Sequence, residues 1–216
     1  IRSGKLHSRN SLLDASSGNT AIAYATLLKP LGWKPTICLP SNASAERKNI
    51  LKSLGAELIL TSPLEGTDGA QIVAKETYAA NPDKYFYADQ YSNDANWQAH
   101  YLTTAEEIWT QTKGKITHFV AGLGTTGTFV GTARRLKELG NVQLISLQPD
   151  HPFHPLEGWK HLATAHRPGI YDDTIADKTL IIDSSGVFDM IRSISIHERL
   201  FISPSGAANL LGALAV

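Results

Sequence analysis

The stretch ITHFVAGLGTTGTFVGTARRLKELG, residues 116–140, decides the fold. An apolar run, Ile116 to Ala121, gives way to a glycine- and threonine-rich turn. A helical pattern from Gly127 to Leu139 follows and is stopped by Gly140. Strand, tight turn and helix in that order are the unit of a parallel α/β sheet.

The same alternation extends in both directions. Upstream, strands are predicted at Ser11 to Leu13, Pro35 to Leu39, Glu57 to Leu60 and Tyr85 to Tyr87. Helices are predicted at about 18–31, from a cap at Ser41 or Asn42 to Gly55, at 67–80 and at 96–111. Downstream, Gln143 to Leu147 is a strand, and residues 150–177 form a long excursion rich in histidine. A strand at 179–182, a helix over 185–199 and a last helix opened by Ser205 complete the pattern. The fold class is α/β, built from open parallel sheets with helices on both faces.

Composition narrows the function. Of 216 residues, 42% are hydrophobic and 19% charged, which suits a globular protein with a real core. Lys plus Arg and Asp plus Glu are 20 each, and no run of five like charges occurs, so nucleic acid is set aside as a partner. The lone Cys38 fits a reducing compartment. No apolar stretch approaches the roughly 20 residues of a membrane span, and no leader pattern opens the chain. The expectation is a cytoplasmic protein without a membrane partner. A start at Ile1 and a stop at Val216 within an apolar helical pattern suggest a segment of a longer protein.

Four polar turns offer chemistry. In AGLGTTGT, residues 121–128, a helix start presents free N–H groups and a positive dipole end, with Gly122, Gly124 and Gly127 allowing close approach. Thr125, Thr126 and Thr128 add hydroxyls, which suit a terminal phosphate. The spacing Gly122-x-Gly124-x-x-Gly127 also matches a dinucleotide fingerprint, with Asp150 as the ribose acid, although Pro149 argues against a strand end there. A turn that merely permits tight packing is the third possibility.

DASSGNT, residues 14–20, places Ser16, Ser17, Asn19 and Thr20 at a second strand-to-helix junction, where they hold a carboxylate or simply cap the helix. DQYSNDAN, residues 89–96, offers Gln90 to a crevice at the strand ends, or is a polar turn. SPSGAAN, residues 203–209, is another serine-glycine helix entry. His151 and His154 have a zinc-like spacing, but Pro152 and Pro155 break the helix that would use it, so no metal is expected. No nucleophile elbow appears.

In this order, these blocks resemble the fold type II pyridoxal-phosphate enzymes, specifically the cysteine synthases (O-acetylserine sulfhydrylases) and more the B-type than the A-type. The likeness runs through SSGNT, LPSNASAERKNILKSLGAELIL, DQYSNDAN, HYLTTAEEIWTQTKGKITHFVAGLGTTGT, SLQPD and SGAA. It implies two open parallel-sheet, three-layer subdomains of the tryptophan synthase β-like type. Residues 11–94 would be the smaller mobile domain, and 1–10 with 95–216 part of the larger.

The resemblance also assigns roles. It implies pyridoxal 5′-phosphate as cofactor, with Gly124, Thr125, Thr126, Gly127 and Thr128 on its phosphate and Asn19 on its ring hydroxyl oxygen. Ser16, Ser17, Thr20 and Gln90 would grip the substrate carboxylate. Pro204 stands where the family offers a hydroxyl to the pyridine nitrogen, leaving Ser205 or Ser203 to substitute. LEGW at 156–159 replaces an Arg-rich segment.

The Schiff-base lysine of an N-x-G-S-x-K-D-R stretch is expected upstream of Ile1, and Lys5 is expected at the surface. No catalytic residue is therefore present, and this segment alone is expected to be inactive. The implied reaction forms L-cysteine from O-acetylserine and sulfide in a homodimer. A cystathionine β-synthase, a serine or threonine deaminase, a non-catalytic cofactor binder and an NAD module are the rivals.

Overall fold

In a computed structural model, which describes residues 4–216, the chain forms two compact units divided between Gln90 and Tyr91. The expected boundary lay at 94–95, with residues 1–10 in the other domain. Leu6 packs with Leu12, Leu28 and Ala88.

The first unit runs β1 (Ser11–Ala15), α1 (Asn19–Leu28), β2 (Thr36–Pro40), α2 (Ala45–Ser53), β3 (Glu57–Thr61), α3 (Gly66–Ala80) and β4 (Tyr85–Tyr87). Its four strands are parallel in the order β3-β2-β1-β4. Every residue of β2 is buried, as a central strand covered on both faces requires. Ile37 and Leu39 meet Ala21 and Ala25 of α1 and Leu51 of α2. Leu13, Ala15 and Cys38 meet Ala70 and Ala74 of α3 on the other face. The chain steps one way from β1 to β3 and then returns across β1 to β4. The carboxyl ends of β1 and β4 therefore flank a topological switch point, the usual ligand position in such sheets.

The second unit runs α4 (Ala95–Ala99), a π-helical segment (His100–Thr104), α5 (Ala105–Gln111), β5 (His118–Gly122), α6 (Gly127–Leu139), β6 (Gln143–Pro149), β7 (Lys178–Ile182), α7 (Val187–His197) and α8 (Pro204–Leu214). Its three strands are parallel in the order β5-β6-β7. One core layer joins Phe129, Val130, Ala133 and Leu136 of α6 to Ala105 and Leu144. The other joins Ile145, Leu147 and Ile182 to Val187, Ala207 and Ala208. Residues 151–177 contain turns but neither helix nor strand.

Three local expectations change. The helix expected to reach residue 31 is α-helical only to Leu28, then tightens into a 3₁₀ turn over Lys29–Leu31, where Pro30 supplies no N–H to continue the ladder. The cap of α2 is Ser44, whose Oγ accepts from Arg47 N, rather than Ser41 or Asn42. The Ala43 N–H bond to Pro40 O closes a turn ahead of it, and Ser41 N is engaged by Thr61 O. Pro149 is also the last residue of β6, not an interruption before it. By then β5 has ended, opposite Leu147, and the missing N–H leaves only β7 to pair with. Pro40 ends β2 in the same way, beyond the last β1 pair at Cys38.

Candidate functional site

In the first unit, the turn after β1 is tied together by its own side chains. Ser16 is buried, and its Oγ accepts from Gly18 N at 3.3 Å and Ala21 N at 3.2 Å. A hydroxyl offers one donor and two acceptor positions, so its O–H remains to be donated. Arg47 of α2 donates to Ser17 O at 3.1 Å, which fixes the backbone of the turn. Ser17 and Thr20 are half-buried and Asn19 is exposed at the first residue of α1.

Gln90 lies just beyond β4. Its Nε2 donates to Ala15 O at 2.6 Å, and its N–H donates to Asp14 Oδ2 at 3.3 Å. The structure thus brings Gln90 to the turn that carries Ser16, Ser17, Asn19 and Thr20, at the switch point of this sheet. Asp14 itself was quoted within the motif without a role. An ionisable residue inside a strand covered on both faces was the signal that could have singled it out.

In the second unit, the turn between β5 and α6 is built more tightly than its glycines suggested. A Cβ on Gly122 would lie 2.0 Å from the Trp159 ring, one on Gly124 2.4 Å from Gly158 O, and one on Gly127 2.0 Å from Asn96 Oδ1. These glycines therefore let the turn pack against residues 156–160 and α4. The packing reading is right for their side, and it coexists with a helix start whose first N–H groups have no partners within the helix.

Thr126 supplies the independent sign of a ligand. It adopts a left-handed φ of 72° that β-branched residues avoid, and its fully covered Oγ1 has no hydrogen-bond partner. Beside it, Thr125 Oγ1 accepts from Asn96 Nδ2 at 3.1 Å, and exposed Thr128 shares a 3.2 Å hydrogen bond with His100 Nε2. His100 belongs to the π segment, and burial holds its imidazole below its ordinary pKa. Three clustered hydroxyls, one of them orphaned, at the amino end of a 13-residue helix fit a phosphate monoester.

The helix α8 completes this unit's site. Its cap is Ser203 rather than Ser205: Ser203 Oγ accepts from Gly206 N at 3.2 Å, and Pro204 takes the first helical position, where no N–H is required. Ser203 and Ser205 share a hydrogen bond of 3.0 Å between their hydroxyls. One turn on, Asn209 donates to Ser205 O and accepts from Gly122 N at 2.8 Å, which ties Ser205 to the end of β5. Asn96, His100 and Asn209 were not singled out from sequence, because their partners lie 29, 28 and 87 residues away.

The remaining candidates sit elsewhere. Asp150 does stand at a strand end, contrary to the argument from Pro149, but its Oδ1 accepts from Ser184 Oγ at 2.6 Å and Ser184 N at 3.3 Å. It serves there as a turn cap. Among the described residues no group of three His, Cys, Asp or Glu is placed to hold a metal, and none of their helices is long and apolar enough to cross a membrane. Lys5 is exposed.

The chain matches the family model of pyridoxal-phosphate dependent enzymes over residues 2–216. It is 46% identical over 211 residues to a cysteine synthase of Aquifex aeolicus, covering 97% of this chain and 63% of that protein. It is 36% identical to cysteine synthase B of Escherichia coli, covering 99% of this chain and 70% of that one. The structure of the O-acetylserine dependent cystathionine β-synthase from Helicobacter pylori superposes with a TM-score of 0.91 at 30% identity, over 99% of this chain and 72% of that chain.

Proposed function

The chain belongs to the pyridoxal-phosphate-dependent enzymes and has their fold type II architecture, and on that premise we propose that it forms L-cysteine from O-acetylserine and sulfide by β-replacement. The observation that carries the cofactor site is the orphaned Thr126 hydroxyl at the start of α6. Gly124, Thr125, Thr126, Gly127 and Thr128 would hold the phosphate, Asn19 the ring hydroxyl oxygen and Ser205 the pyridine nitrogen. Ser16, Ser17, Thr20 and Gln90 would take the substrate carboxylate.

When bound, the cofactor supplies an electron sink for the α-carbon of the amino acid. The chain's own residues supply position. Ser16 keeps its O–H for a carboxylate oxygen while its lone pairs hold the turn, and Arg47 fixes the backbone that presents Ser17. Asn96 and His100 orient Thr125 and Thr128, so the phosphate meets hydroxyls that are already aimed. No lysine here has the sequence context expected of the one that carries the cofactor, so these 216 residues alone should not turn over. The domain assignment, 11–94 against the rest, and the homodimer belong to this same proposal.

The test is twofold. Pyridoxal phosphate should bind the 216-residue chain with a change in its near-ultraviolet absorbance, weakened at least tenfold by Thr126→Val. The complete protein should make cysteine from O-acetylserine and sulfide faster than it makes cystathionine with homocysteine. The reverse preference would move the assignment to a cystathionine β-synthase. Pro204, which offers no hydroxyl, favours a second reading as a non-catalytic cofactor binder, and absence of both products with the cofactor bound would establish it.

A further inference from the structure

β1 is covered on both faces, yet its fourth residue is ionisable. Asp14 is completely buried. Leu13 and Ala15 on either side of it meet α3, so Asp14 is turned to the opposite face, toward α1. Its Oδ1 accepts from Ala15 N at 2.8 Å, and its Oδ2 accepts from Tyr24 Oη of α1 at 3.0 Å and from Gln90 N at 3.3 Å. Gln90 returns the tie through Nε2 to Ala15 O. One carboxylate and one amide thus cross-link the turns leaving β1 and β4 at the switch point. A charge in such a place is costly unless it does something an apolar residue cannot.

We propose that Asp14 is a positioning residue, a latch that holds Gln90 against the turn after β1 and slackens when the carboxylate takes up a proton. The inference deepens the reading of Ser16, Ser17, Thr20 and Gln90 as the carboxylate grip, and rests on it. Ionised, Asp14 accepts all three hydrogen bonds with full charge. Protonated, it keeps one oxygen as a good acceptor and weakens the other.

Asp89 supplies the neighbouring charge that acts on this group. Burial pushes the Asp14 carboxyl up to about 7, against the hydrogen bonds from Ala15, Tyr24 and Gln90, with the Asp89 charge adding to the rise. Burial and Asp14 raise the Tyr24 phenol on α1, and push the Cys38 thiol on β2 up to about 12. Burial, then Asp89 and Asp14, raise Tyr87 on β4. On the other face of β1, α3 brings the uncharged Ala70, Val73 and Ala74. Tyr24, Cys38 and Tyr87 therefore stay neutral where Asp14 changes charge.

The test follows the Gln90 backbone amide by nuclear magnetic resonance from pH 5 to 9. In the native chain its shift should titrate with a midpoint near 7, and Asp14→Asn should abolish the titration. Tyr24→Phe keeps the carboxylate but removes a hydrogen bond that favours its ionised form, so the midpoint should rise. L-alanine, an amino acid with no leaving group, should bind the pyridoxal-phosphate-loaded native chain with an affinity that rises about tenfold more between pH 5.5 and pH 8 than it does in Asp14→Asn, a comparison that cancels the titration of alanine's own ammonium. A silent Gln90 amide, or a midpoint that stays or falls in Tyr24→Phe, overturns the latch. A titrating amide with the same pH dependence of alanine affinity in the native chain and in Asp14→Asn overturns its positioning role. Failure of alanine to bind at any pH, while the amide titrates, removes the carboxylate reading and leaves the latch standing.

Discussion

The turns that follow β1 and β5 look alike in sequence, each a polar, glycine-containing entry to a helix, but they are completed differently. After β1, the protein satisfies its own groups: Ser16 caps, Arg47 holds Ser17 O, and Gln90 ties back to Ala15. After β5, a buried hydroxyl at a left-handed residue is left without a partner. The first turn is prepared before anything binds, whereas the second is finished only by a ligand. Cofactor binding should therefore stabilise the second unit more than any amino acid stabilises the first.

Exchanging a glycine in each turn should give the largest contrast. Gly124→Ala drives a Cβ to 2.4 Å from a backbone oxygen, which cannot yield by rotating. It should cost about 1–3 kcal/mol and cut pyridoxal phosphate affinity about 100-fold, read by thermal melts and absorbance titration. Gly18→Ala meets only Arg47 Nη1, at 3.7 Å, and should stay within about 1 kcal/mol of the native stability. If both variants melted alike, the two turns would not differ in packing.

Removing hydroxyls sharpens the distinction. Ser16→Ala strips the acceptor from two N–H groups and should lower stability by about 1–2 kcal/mol without any ligand. Thr126→Val removes a hydroxyl that nothing satisfies, so the ligand-free chain should hold its stability or gain slightly. With saturating pyridoxal phosphate, the native chain should gain about 2.7 kcal/mol at a hundredfold excess over Kd, and the variant less. Denaturant melts with and without cofactor measure all four values.

Smaller still is an opposition in pH. Asp14 is raised from an ordinary 3.8 to about 7, so the folded state holds its proton longer than the unfolded one. Its contribution to stability is complete below pH 3.8 and is lost as pH rises through about 7. His100 is lowered by burial, so its contribution is present above its ordinary pKa and is lost as pH falls through the depressed one. Asp14→Asn should flatten the first slope and His100→Gln the second in melts across pH 4–8. Slopes of the same sign would break the contrast.

Much of this was legible beforehand, and the reasons are local. The strands and helices are written in runs of three to fifteen residues, and a turn such as GTTGT announces a helix start without reference to the rest of the chain. The α2 and α8 caps were missed by two or three residues, because Ser41, Asn42, Ser44, Ser203 and Ser205 are all competent caps and the turn before each helix decides among them. Pro149 misled because a strand's last residue tolerates proline once its neighbour has stopped. Asp14, Asn96, His100 and Asn209 stayed hidden for another reason. The partners that bring them to the two turns, Gln90, Thr125, Thr128 and Gly122, lie 76, 29, 28 and 87 residues away in the chain.

The π segment between α4 and α5 carries one consequence of its own. Residues 100–104 span a wider loop than an α-helical turn, so the helix holds one residue more than its length requires. Losing a single amino acid there would relax it into ordinary helix and leave the faces on either side nearly unchanged, whereas the same loss from α4 would turn every preceding side chain by about 100°. Asn96 would keep Thr125 after a loss within the segment, and would leave it after a loss in α4 beyond Asn96. The π segment is therefore a place where this helix can lose one residue that it could not lose within α4, a tolerance that no substitution at its surface would reveal.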